Sequence, residues 1–94
     1  MGALPCIGIS KTWDIENHLE AANDAIVSYL KEENKDIFSV IIIIKSYTNL
    51  SLNKVNEVFE LVQAKLNYEE ISCNMSEVKD EILKNKIEII LIGE

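Results

Sequence analysis

The sequence predicts a two-layer α/β domain with elements in the order β-α-β-α-β-β. Three observations lead there. The run Val40-Ile41-Ile42-Ile43-Ile44 consists of branched apolar residues, which are stiff at χ1 and suit a pleated strand. Two stretches, around Ile15–Leu30 and Leu52–Leu66, repeat apolar residues at the three-and-four spacing of an amphipathic helix. Strands that alternate with helices imply parallel pairs joined by right-handed crossovers.

Within Val40–Ile44 side chains alternate between the two sheet faces, and both sets are apolar. That is the pattern of a central strand covered on both sides. Leu4-Pro5-Cys6-Ile7-Gly8-Ile9-Ser10 reads as the first strand. Pro5 has no N–H to donate, which places it at the strand's start or on an edge. Gly8 marks either close packing by a neighbouring element or a weak point. Met1 to Ala3 read as a start-codon scar or a frayed end.

Thr12-Trp13-Asp14 reads as a turn, and Thr12 or Asp14 can cap the helix that follows. Ile15, Leu19, Ala22, Ile26 and Leu30 form its apolar stripe over about 17 residues. Early acidic residues and Lys31 near its end suit the helix dipole. His18, the one histidine, borders that stripe and reads as a helix-surface residue. No second His or Cys shares its segment, as a catalytic base would need.

Glu32-Glu33-Asn34-Lys35-Asp36 is a solvated connector, and Ser46-Tyr47-Thr48-Asn49-Leu50 is a polar loop of ordinary length. Ser51 is the expected N-cap of the second helix. There Leu52, Val55, Phe59, Val62 and Leu66 make the stripe, Val58 and Leu61 widen it, and Asn67 terminates the helix. Ile71-Ser72-Cys73-Asn74-Met75 is a short polar third strand at a sheet edge. Ser76 to Asn85 spaces Val78, Ile82 and Leu83 in a way that fits a turn of helix or a loop. Ile87 to Ile92, closed by Gly93, is the last strand, antiparallel because its connection is short.

The 94 residues carry 48 % hydrophobic and 27 % charged side chains, enough apolar surface for one ordered domain. The net charge is −7, all nine cations are lysines and arginine is absent. Nucleic acid and anionic membrane surfaces are recognised through cationic clusters, so neither is expected as a partner. The missing guanidinium fork also weighs against a dedicated anion site. Cys6 and Cys73 fall in predicted strands, where a free thiol behaves as a small apolar residue. With no signal peptide or membrane-length apolar run, the expectation is a reducing, cytoplasmic setting.

Motifs that carry chemistry are missing. Three glycines, Gly2, Gly8 and Gly93, cannot build a phosphate-cradling loop or a dinucleotide fingerprint. One His and two distant Cys form no zinc pattern, and no serine sits in a nucleophile elbow. Glu32-Glu33 and Glu69-Glu70 read as solvated surface. Catalytic, cofactor-binding and metal-ligating residues are therefore all expected to be none.

Two phrases resemble the C-terminal domain of the bacterial cell-division protein FtsZ. Ile7-Gly8-Ile9 followed by Leu19-Glu20-Ala21-Ala22-Asn23-Asp24-Ala25-Ile26 is similar to its Gly-Ile-Gly strand and the helix after it. Val40–Ile44 followed by Leu50-Ser51-Leu52-Asn53-Lys54-Val55-Asn56-Glu57 resembles its apolar strand, loop and Leu-Thr-Leu-x-Glu-Val-Asn-Glu helix start. The likeness runs from about Leu4 to Gly93. Three departures stand out: Lys45-Ser46-Tyr47 replaces a Gly-Gly, Ile9-Ser10-Lys11 replaces a glycine-containing turn, and Lys54 replaces the acidic member of a capping box with Ser51.

The resemblance implies a four-stranded mixed sheet in the order first, fourth, second, third, with both helices on one face. It implies a single domain over 1–94 from which the GTPase half is absent. It implies an assembly role in a filament-forming GTPase, not an enzyme by itself, with no cofactor. Its partners would be the GTPase domain of a parent chain and neighbouring filament subunits, with self-association when isolated and no direct membrane contact. The alternative is a stand-alone interaction or oligomerisation module of the same small fold.

Overall fold

The computed structural model describes residues 5–32, 37, 39–48, 50–66 and 72–94. Expectations for Met1–Leu4, the connector Glu33–Asp36, Asn49, the terminator Asn67, Glu69-Glu70 and Ile71 lie outside the described residues. The elements are β1 (Cys6–Ile9), β2 (Trp13–Asp14), a 3-10 turn (Ile15–Asn17), α1 (His18–Glu32), β3 (Ser39–Ser46), α2 (Leu52–Leu66), β4 (Ser72–Lys79) and β5 (Lys86–Gly93).

The sheet is mixed and runs β1-β5-β3-β4, with β2 also pairing β5. The four long strands thus stand in the expected order, and β2 is an addition to it. β5 is antiparallel to both β1 and β3, while β3 and β4 are parallel.

The expected turn at Thr12–Asp14 is corrected: Trp13 and Asp14 pair with Ile87 and Lys86. The register sum shifts by one between Ile9↔Ile90 and Trp13↔Ile87, which is a β-bulge. Ser10 closes it. Its N–H donates to Ile89 O at 2.9 Å, and its hydroxyl accepts the Ile89 N–H at 2.9 Å. Asp14 stands before the 3-10 turn without a side-chain cap bond; its carboxylate takes Lys86 Nζ instead. Ser51 does cap α2, accepting the Lys54 N–H at 3.3 Å.

The helices pack on one sheet face. Cys6, Val40, Ile42, Ile44, Ile87, Ile89 and Leu91 are buried there against Ala21, Ala22, Ala25, Ile26, Tyr29, Val58, Val62 and Leu66. Gly8 allows this closeness. A Cβ at that position would come within 2.5 Å of Tyr29 Cβ and Tyr29 N, and nearer still to the Ala25 carbonyl oxygen. A glycine on the strand and alanines on the helix are the pairing that lets two backbones approach.

Three stripe assignments are corrected. Leu19 and Leu30 (45 % exposed) point away from the core, because the α1 interface is made of the small residues that fit over Gly8. Leu52, at 73 % exposed, lies outside the α2 interface. His18, expected on the surface, is buried. The charged stretch after Met75 is also settled: β4 continues to Lys79, and 81–85 form a turn in which Leu83 is buried.

Candidate functional site

The strand alternation divides the sheet's side chains into two sets. One set lies under the helices. The other contains six isoleucines, Ile7, Ile9, Ile41, Ile43, Ile90 and Ile92, aligned by the registers Ile7↔Ile92↔Ile41 and Ile9↔Ile90↔Ile43. No described element covers them, in line with the expectation of both helices on one face, although the pattern of Val40–Ile44 by itself reads as a strand covered on both sides. Ile7 and Ile9 are 42 % and 54 % exposed, while the four on the inner strands are half-buried. Their branched neighbours shield one another laterally, so the centre is less exposed than the β1 edge.

A polar cluster bounds this face at one end. Lys45 and Glu88 are cross-strand partners. Lys45 Nζ lies 3.7 Å from Glu88 Oε2 and 3.7 Å from Asp80 Oδ2, and Thr12 Oγ1 donates to Glu88 Oε1 at 2.7 Å. A contiguous apolar patch bounded at one end by paired charges suits a surface that another element covers.

The side chains that could carry chemistry are dispersed. His18 Nε2 lies 3.3 Å from Glu57 Oε1, joining α1 to α2, and His18 Nδ1 is buried without a hydrogen-bond partner. Its position between helices was missed because spacing alone puts it at the border of the stripe. Cys6 is buried on β1, with its thiol donating to Tyr29 O at 3.4 Å. Cys73 lies on β4 at the far side of the sheet from Cys6, so the two do not form a disulfide with each other. Partial burial pushes the Cys73 thiol pKa up. Among the described residues no group of three or more His, Cys, Asp or Glu side chains is placed to hold a metal ion. Among the described residues no helix is long and apolar enough to cross a membrane.

A shallow hollow flanks α1, lined by Trp13, Leu19, Glu20, Asn23, Asp24 and Val27. Asp24 is committed there to structure: its Oδ2 accepts the Lys11 N–H at 2.7 Å and the Trp13 indole N–H at 3.3 Å. The open isoleucine face is therefore the feature around which a function can be argued.

No protein-family model matches the sequence, and no curated protein matches it. Solved structures do share its fold. An FtsZ W319Y mutant from M. jannaschii superposes with a TM-score of 0.67 at 23 % identity, covering 96 % of this chain and 27 % of that one. An empty FtsZ dimer from M. jannaschii gives 0.64 at 21 % identity, covering 98 % and 27 %. IspF from Plasmodium falciparum, in a CDP complex, gives 0.55 at 13 % identity, covering 99 % and 96 %. The chain therefore has the fold of part of FtsZ and spans about a quarter of the length of those FtsZ chains.

Proposed function

We propose that this chain is the assembly domain of an FtsZ-like, filament-forming GTPase of cell division, the counterpart of the FtsZ C-terminal domain, with no nucleotide site of its own. The observation that carries the reading is the shared fold, which takes in nearly all of this chain and 27 % of the FtsZ chain. The sequence phrases around Ala21–Ile26 and Leu50–Glu57 support it independently. The open isoleucine face is the seat for the remainder of a longer chain, including its GTPase domain. Contacts with neighbouring filament subunits would then use surfaces outside that seat. A cytoplasmic location accords with two cysteines that are not joined in a disulfide and with the family.

A chimera tests this. The matching segment of M. jannaschii FtsZ is replaced by this chain, and GTP binding and GTP-dependent pelleting are measured. Polymer formation is the expected result. A chimera that folds and binds GTP yet never assembles would refute the assembly role, while GTP binding by the isolated chain would refute the absence of a nucleotide site.

A further inference from the structure

The two edges of the sheet are finished differently. Along the β1 edge two backbone N–H groups meet α1 side chains: Ile9 N donates to Ser28 Oγ at 3.2 Å and Lys11 N, just past β1, to Asp24 Oδ2 at 2.7 Å. These side chains occupy the C-terminal part of that edge and hinder the docking of another strand there. β4 is the other edge, and among the described residues nothing pairs beyond it. Its orientation follows from one bond: Asp80 N donates to Ser46 O. In a parallel ladder this turns the even-numbered β4 residues toward β3 and leaves the backbone groups of Cys73, Met75, Glu77 and Lys79 pointing outward.

We propose that β4 is a self-pairing edge, joining antiparallel to β4 of a second copy about a two-fold axis at Val78. In that register Glu77 lies opposite the partner's Lys79, and Lys79 opposite the partner's Glu77. Both are outward-facing positions, so each pair exchanges two backbone bonds and sets unlike charges side by side. Val78, 43 % exposed, meets the partner's Val78 at the close, non-hydrogen-bonded site. Shifting the register by one pair centres the axis on Glu77 and puts two carboxylates face to face, which disfavours it. The charge order Glu77-Val78-Lys79 is thus complementary to itself, which selects a second copy over an unrelated strand. The resulting sheet is continuous, with all helices on one side. The side chains available for the pairing are exposed, with Lys79 Nζ lying 5.3 Å from the Tyr47 ring centroid. Edge pairing over so few residues belongs to the weak class of interfaces, below about 1,200 Å², so association is read at roughly 0.1–1 mM.

The inference stands apart from the reading of the chain as an FtsZ-like domain, and charge swaps test it. Glu77→Lys alone gives Lys facing Lys, and Lys79→Glu alone gives Glu facing Glu; sedimentation should show each self-associating about tenfold or more weakly than wild type. An equimolar mixture of the two single variants should form a heterodimer of near wild-type affinity, and the double swap should self-associate again. Amide exchange at Glu77 and Lys79 should slow with rising wild-type concentration. Single variants that associate like wild type, a mixture that stays monomeric, or a wild-type chain monomeric at 1 mM would each overturn the proposal. So would an association abolished by Ile9→Lys and indifferent to the swaps, since that would be face-to-face contact through the isoleucines.

Discussion

At Gly8 the absence of one methyl group sets the distance between α1 and the sheet. Gly8→Ala brings a Cβ against the Tyr29 backbone nitrogen and the Ala25 carbonyl, neither of which is a flexible side-chain end. The helix must shift, at a cost of about 1–3 kcal/mol, and thermal unfolding should show the midpoint falling by at least several degrees. Ile42 is fully buried under the helices. An Asp there leaves an unpaired carboxylate in the core, costing several kcal/mol against a stability of about 5–15 kcal/mol. Circular dichroism should show Ile42→Asp unfolded, whereas Ile9→Asp, at an exposed site on the open face, should keep the cooperative transition. At Cys73 burial raises the folded-state pKa above that of the unfolded chain. The sign follows: the neutral thiol's contribution is fully present below the unfolded pKa and is lost as pH climbs through the folded one. Maleimide labelling near pH 8 should therefore be slower in the folded protein than in the denatured chain, and a folded thiol reacting faster would contradict the assigned environment.

At the scale of elements, α1 does two jobs. Its small-residue face packs over Gly8, and its Ser28 and Asp24 side chains occupy the β1 edge. Asp24→Ala removes the acceptor of both the Lys11 N–H and the Trp13 indole N–H. These bonds are largely exposed, so the expected loss is about 1 kcal/mol by chemical denaturation. The freed edge should also raise aggregation on heating; an unchanged midpoint with unchanged turbidity would show that the caps are incidental. Existence and type of the elements were legible wherever period and branching agreed, as in β3, α2 and β5. The α1 interface was not. A hydrophobic stripe is read by size, which favours Leu19 and Leu30, while a helix over a glycine selects Ala21, Ala22 and Ala25. β2 was hidden for another reason: two residues carry no period, and only their long-range partners Ile87 and Lys86 make them a strand.

At the scale of the whole molecule, the open isoleucine face governs the behaviour of the chain in solution. The isolated protein should bind a hydrophobic dye, and Ile9→Lys should lower that fluorescence while leaving the fold intact. A wild-type chain that binds no dye would mean the face is covered from within. Titration calorimetry with GTP and magnesium should give no heat of binding, because three glycines, two of them at the chain ends, leave no loop to cradle phosphates. Micromolar binding would contradict the proposed reading of this chain as one with no nucleotide site of its own.

By itself the sequence determined the strand and helix alternation, the antiparallel return of the last strand, the apolarity of both parities of Val40–Ile44 and the lack of a phosphate loop. These are local or pairwise properties, written in period, branching and residue type. It also carried the likeness to FtsZ in two short phrases. Only the tertiary structure decided which parity of β3 the helices cover, that His18 lies between α1 and α2, and that the Ser10 bulge lets one edge run on into β2. It alone distinguished a β1 edge whose N–H groups meet side chains 19 and 13 residues away from a β4 edge beyond which, among the described residues, nothing pairs. Burial and edge protection depend on what packs from elsewhere in the chain, and periodicity cannot encode the identity of that neighbour.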